Sequence, residues 1–160
     1  MPDLIIIAAM GQGNHVIGAG NGMPWAIPEE YQQFLRLIEG QTIVMGRRSF
    51  EIFGPDLTTT TNLVVSRSVR EVPGATVFAD LNTALTYAHT LGKTIFSAGG
   101  ASVYAQTIPK ADAMYLSYIH GQFDGDTFFP HFDEVAWKET QREVHDAFTW
   151  VVYQRPQPRT

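Results

Sequence analysis

The chain has 160 residues, a formal charge of −5 from 11 Lys and Arg against 16 Asp and Glu, and no cysteine. That length suits one domain over residues 1–160, enough to bury about 70% of the unfolded surface in a single core. The acidic balance argues against a nucleic-acid or anionic-membrane footprint, and the lack of cysteine excludes disulfides and thiolate chemistry.

Leu4-Ile-Ile-Ile-Ala-Ala9 is a short continuous apolar run, so Leu4 to Met10 reads as a strand buried on both faces and ended by Gly11. The run is too short to span a bilayer, and Asp3 stands where a signal peptide would be basic, so the expectation is a soluble cytoplasmic protein. Gly11 to Gly22 follows, with five glycines in 12 residues. It has neither a phosphate-loop Gly-Lys-Ser nor dinucleotide spacing, and reads as a mobile active-site cover or as surface turns.

Gly20, Gly22 and Pro24 forbid regular structure, and Pro28 then suits the first turn of a helix. Tyr31, Phe34, Leu35 and Ile38 recur at helical spacing, and Glu30 shares a face with Phe34 four residues on. A carboxylate beside an aromatic on a core-facing helix is desolvated or must find a cationic or N–H partner. The other reading is a first-turn glutamate that complements the helix dipole from the solvent side.

Strands are then expected at Gln41 to Met45, Asn62 to Ser66, roughly residues 75 to 78, and Thr94 to Ser97. The first runs into Gly46-Arg-Arg-Ser-Phe50, which offers two guanidinium groups at a helix start: an anion site, or an ordinary solvated basic pair. The second ends in Ser66-Arg67, and the last in Ala98-Gly-Gly-Ala-Ser-Val-Tyr104, where glycines allow a ligand close to the backbone. Between them Asp80 precedes an amphipathic helix bearing Leu81, Ala84, Leu85, Ala88 and Leu91. Ala113 to Ile119 is a further strand, and Trp137 to Val144 with Phe148 to Gln154 is an antiparallel pair. The loop between holds Asp124-Gly-Asp126 without calcium-loop spacing, and the five His are scattered, so no metal is assigned. Alternating strands and helices imply right-handed crossovers, a mostly parallel sheet, and ligands beyond the carboxyl ends of its strands.

Over nearly its whole length, and in the same order, the chain resembles the dihydrofolate reductase family. The resemblance rests on Val16-Ile-Gly18, Met23-Pro-Trp25, Pro28 with Glu30, Val44-Met-Gly-Arg47, Ser66, Ala98-Gly-Gly100, Tyr104, Gly125-Asp-Thr127 and Phe129-Pro130. It implies an eight-stranded, mostly parallel mixed sheet with an antiparallel C-terminal hairpin and four helices. It further implies NADPH as cofactor, a small dihydropterin substrate, and a monomer without nucleic-acid or membrane partners. Glu30 matches the pocket carboxylate, Ser117 a hydroxyl that ties it to the ring, and Trp25 the cover; these are the expected catalytic group. Ile7 and Ala98 match carbonyls facing the pterin. Ala9, Met10, Phe34 and Phe53 match its walls, Leu57 the wall at the aryl ring, and Tyr31 and Tyr104 further substrate contacts. Ala9, Ile17, Gly18, Asn21 and Met23 match cofactor contacts near the nicotinamide. Gly46, Arg47, Arg48, Ser49, Ser66 and Arg67 match the phosphate side, with Arg47, Ser66 and Arg67 at the 2′-phosphate. Gly99 and Gly100 match a pair joined by a cis peptide, followed by Ala101, Ser102, Val103 and Tyr104; Asp126 and Thr127 match a loop backing the cover.

One position departs from the pattern. Where the family's Leu-Pro-x-Arg supplies a cation for the glutamate tail of folate, this chain reads Leu57-Thr-Thr-Thr-Thr-Asn62, with Thr60 at the Arg position and Leu35 at a second cationic one. A lost charged pairing there costs roughly 2–4 kcal/mol. The expected function is NADPH-dependent reduction of dihydrofolate. The alternatives are the same reaction on a dihydropterin with another tail, as in a dihydromethanopterin-type reductase, a pyrimidine reductase of riboflavin synthesis, or a non-catalytic nucleotide-binding module.

Overall fold

Strand β1 (Leu4–Gly11) is buried along nearly all its length, and the rest of the sheet is built outward from it. Its side chains alternate between faces, as a strand's must. Leu4, Ile6, Ala8 and Met10 enter one core layer, and Ile5 and Ile7 the other. In the computed structural model, which describes residues 3–18 and 22–156, β1 is flanked on both sides by parallel neighbours. These are β6 (Ile95–Ser97), with Leu4 beside Ile95, and β7 (Ala113–Ile119), with Ile5 beside Ala113.

Beyond β6 lie β3 (Thr42–Gly46), β4 (Thr61–Val65) and β5 (Thr76–Phe78), all parallel. Beyond β7 lie β10 (Phe148–Gln154) and β9 (Lys138–Val144), both antiparallel to their neighbours. The order of the eight-stranded sheet is β5-β4-β3-β6-β1-β7-β10-β9. The expected α/β fold with its C-terminal hairpin is therefore present. Every residue of the edge strand β9 is exposed, and five of its seven carry charge or an amide (Lys138, Glu139, Gln141, Arg142, Glu143), which discourages pairing with another chain.

Four helices cover the sheet. Helices α1 (Pro28–Ile38) and α2 (Arg47–Phe53) pack Ile38 and Phe50 onto Ile43, Met45 and Val64. Helices α3 (Leu81–His89) and α4 (Ala101–Thr107) bring Leu81, Leu85, Val103 and Tyr104 onto Ile6, Leu63 and Met114. Pro28 begins α1 without any side-chain cap, whereas α3 is capped by Asp80, which accepts from the Thr83 N–H at 2.8 Å. α3 stops at His89, short of Leu91, because Gly92 takes φ +72 just beyond.

Two strands were not foreseen. β2 (Val16–Gly18) and β8 (Thr127–Phe128) pair antiparallel in a small separate ribbon, inside segments that read as loops. At three and two residues they are too short for alternation to register. Among the described residues, no helix is long and apolar enough to cross a membrane.

Candidate active site

A cleft of about 560 Å³ opens at the carboxyl ends of β1, β3 and β6, between α1 and α2. α1 supplies Glu30, Tyr31 and Phe34 to its wall, consecutive turns of one face. Glu30 is only 8% exposed although it sits in the first turn of the helix. Burial pushes its carboxyl above the ordinary range, and a hydrogen bond from the Ser117 hydroxyl pulls it partly back. The solvent-facing dipole reading is thereby displaced: the side chain points inward, and desolvation outweighs what the helix terminus offers. Opposite, the Tyr104 hydroxyl donates to the Ile7 carbonyl at 2.9 Å in a fully buried bond, and the burial raises that phenol.

The other end of the cleft is built from three strand ends. Gly46 at the end of β3 donates its N–H to the Gly99 carbonyl at 2.8 Å, and Ala98 donates to Val44 at 3.1 Å. The Gly99–Gly100 bond is cis, and Gly99 has φ +108. A Cβ there would lie 3.3 Å from the Ser49 Oγ and 3.5 Å from the Tyr104 hydroxyl, so the positive φ favours glycine and the space beside it is tight. Arg47, Arg48 and Ser49 enter the cleft from the first turn of α2, and Arg47 is held by Glu51 at 2.9 Å. Ser66 and Arg67 stand past the end of β4, outside the cleft lining. There the Ser66 Oγ accepts from the N–H groups of Ser68 and Val69.

The glycine-rich segment reaches the cleft through Ile17, Gly18, Gly22 and Met23. It is fastened from behind: Asp126 donates its N–H to Gly18 at 3.0 Å and Phe129 to His15 at 2.8 Å. Trp25 lies just outside the lining, 9% exposed, edge-on to Phe123 at 5.2 Å, with its indole N–H unpartnered by protein.

Of the residues anticipated for the site, most line the cleft: Ile7, Ala9, Ile17, Gly18, Met23, Glu30, Tyr31, Phe34, Gly46, Arg47, Arg48, Ser49, Phe53, Ala98, Gly99, Gly100, Ala101, Ser102, Val103, Tyr104 and Thr127. Ser117 stands behind it, through Glu30. Met10 does not line it: at 0% exposed it packs in the layer with Leu4 and Ile6, on the opposite side of β1 from Ile7. Leu57 packs against the core layer below, and Asn21 lies outside the described residues. Ala8, Gly22, Met45, Ile52, Val65, Gln106 and Asp126 also line the cleft. Of these, Gly22 falls in the expected cover, Asp126 in the loop behind it and Met45 in the Val44-Met-Gly-Arg47 run, while Ala8, Ile52, Val65 and Gln106 were not anticipated. Ile52 was accessible to helical spacing, since it follows Arg48 and Ser49 by one turn.

Known proteins match along the same length. The family model described as dihydrofolate reductase covers residues 3–155. The chain is 37% identical over 143 residues to dihydrofolate reductase type 3 of Salmonella typhimurium, covering 89% of this chain and 87% of the relative. It is 37% identical over 131 residues to the dihydrofolate reductase of Bacillus subtilis, covering 81% and 77%. Among solved structures, the dihydrofolate reductase of Enterococcus faecalis, complexed with NADP(H) and RAB-propyl, superposes with a TM-score of 0.87 at 28% identity over 97% of each chain.

Proposed function

The chain belongs to the dihydrofolate reductase family, and we infer that it reduces 7,8-dihydrofolate to tetrahydrofolate with NADPH, hydride going to C6 and a proton to N5. The observation that carries this reading is Glu30, a buried carboxylate with a raised pKa in an otherwise aromatic and aliphatic wall. A carboxylate accepts two parallel N–H bonds, which fits the 2-amino group and N3–H of a pterin. Ser117 orients it, Phe34 and Phe53 exclude water from the ring, and the Tyr104 hydroxyl fixes the Ile7 carbonyl at the floor. Because desolvation keeps Glu30 protonated to higher pH than a free carboxyl, it can hold the proton that N5 must gain. Trp25 packs edge-on against Phe123 just outside this region and backs the segment carrying Met23.

The opposite end fits a phosphorylated dinucleotide. Bare backbone at Gly46, Gly99 and Gly100 permits close approach, and Arg47 and Arg48 concentrate positive charge in an acidic chain. NADPH, when bound there, supplies the hydride. Arg47, Ser66 and Arg67 would hold the 2′-phosphate, Arg47 exchanging its contact with Glu51 for it. Arg47→Ala or Arg67→Ala should weaken NADPH more than NADH by about 1–3 kcal/mol, read from cofactor binding titrations. Equal losses for both cofactors would assign these arginines to the pyrophosphate or the fold.

The other readings of the sequence are not favoured, since the matching relatives are named dihydrofolate reductases. NADPH oxidation dependent on dihydrofolate is the direct test, and no turnover would end this reading. The protein is proposed to act as a cytoplasmic monomer on small molecules alone, which sedimentation as a 17.8 kDa species would support.

A further inference from the structure

The cleft is electrically polar along its length. α2 runs beside it, with Arg47 and Arg48 at its start and Ile52 and Phe53 at its end, roughly 9 Å apart at 1.5 Å per residue. Those two arginines are the only Lys or Arg among the described residues lining the cleft. Among the carboxylates in the lining, Asp126 belongs to the glycine-rich side. At the far end, where Phe53 meets α1, the lining holds Glu30, and Asp56 stands just outside it beyond Tyr31. There the Tyr31 ring stacks on Phe34 at 5.9 Å and lies 6.3 Å from Phe53. Its hydroxyl is not offered to a ligand but donates to Asp56 Oδ2 at 2.7 Å. Asp56 sits in the turn that ends α2 and is exposed, and no ion pair among the described residues neutralises it. Tyr31 is thus flanked by Glu30 and Asp56, and both push its phenol up, after burial. Thr60, in the strand-leading segment nearby, turns its hydroxyl to the Gly40 and Gln41 carbonyls and lies outside the lining.

We propose that the Tyr31–Asp56 pair sets the tail selectivity of this enzyme. It fixes an uncompensated negative charge where the far end of a dihydropterin leaves the cleft, so dihydropterins with uncharged tails are reduced at least as efficiently as dihydrofolate with its two carboxylates. The assignment rests on the reading above, with the pterin ring against Glu30, and adds that its substituent leaves past Tyr31 toward Asp56. Dihydrofolate is then held by its ring and aryl group, while its tail meets like charge across a partly solvated gap, a repulsion that is small and salt-screened.

The test is steady-state kcat/KM with saturating NADPH for 7,8-dihydrofolate and for its uncharged diamide, at low and high salt. In the unmodified protein at low salt the diamide should equal or exceed dihydrofolate. Asp56→Asn should shift the ratio toward dihydrofolate by about 3-fold, through KM, and Tyr31→Phe, which unpins Asp56, should shift it the same way by less. Added salt should mimic Asp56→Asn in the unmodified protein and have little effect on the ratio in the variant. A native preference of about two-fold or more for dihydrofolate at low salt, or a ratio that Asp56→Asn leaves unmoved, overturns the assignment while leaving the reductase intact. Absence of turnover with both substrates would instead remove the reductase reading, and the assignment with it.

Discussion

Glu30→Gln should lower turnover at least about 10²-fold near neutral pH while leaving the fold in place. Glutamine keeps the shape but loses one acceptor and the ionisable proton, so the pterin loses its paired N–H contacts and the site its buried acid. The loss should shrink at low pH, where substrate already carries the proton. In the unmodified enzyme, activity should decline as pH climbs past the raised value of this carboxyl, because its protonated form is then depleted. Stability should fall with rising pH as well. A carboxyl whose folded pKa is raised costs the folded state nothing while it is protonated. That cost appears as pH rises from the unfolded value near 4.5 through the higher folded one. Glu30→Gln removes the cost, so the variant should melt at a higher temperature than the parent at neutral pH, a site that trades stability for chemistry. Parental rates across pH would return Glu30 to a structural role, and an unchanged melting temperature would mean that its burial is relieved by some other contact.

Gly125→Val should be the most damaging change outside the cleft. A Cβ at Gly125 would lie 2.3 Å from both the Gly18 carbonyl oxygen and the Val16 Cγ2. One of those atoms is backbone and cannot swing aside, so β2 and the segment leading into β8 must separate. Separation breaks the Asp126 to Gly18 bond and withdraws support from Ile17, Gly18 and Met23, which line the cleft. Overpacking of this kind costs about 1–3 kcal/mol, and a displacement near 1 Å at the reacting groups is worth up to about 10² in rate. We expect kcat to fall about ten-fold or more with a smaller change in KM, and Asp124→Ala next to it, exposed on the same loop, to do little. A Gly125→Val protein with parental kcat would show that the ribbon is not coupled to the site.

Where the sequence was informative, the reason is periodicity. The run from Leu4 has a length and composition that suit only a doubly covered strand, and Pro28 with Tyr31, Phe34 and Ile38 fixed the face on which Glu30 had to sit. Strand ends carrying glycine and arginine converge because parallel neighbours end on the same edge. Met10 falls away from the cleft because two-residue alternation sends it with Ile6 and Ala8, opposite Ile7. The Tyr31–Asp56 bond was not legible, since it joins residues 25 apart through a turn whose path no local pattern dictates. The same holds for the β2–β8 ribbon, whose few pairs depend on the main sheet having placed both segments first.

The position of β1 has a consequence for how this chain comes into being. Its partners begin at Ile95 and Ala113, so β1 waits for about 90 further residues for the first and about 110 for the second, roughly 5–20 s at ordinary elongation rates. Until β6 is made, Leu4-Ile-Ile-Ile-Ala-Ala9 has neither edge paired, and it is the kind of short apolar segment that chaperones grip. A nascent chain stalled before β7 should remain open to protease at β1, whereas one released past β10 should close. Early protection of a stalled chain would mean that a non-native partner shelters the strand during synthesis.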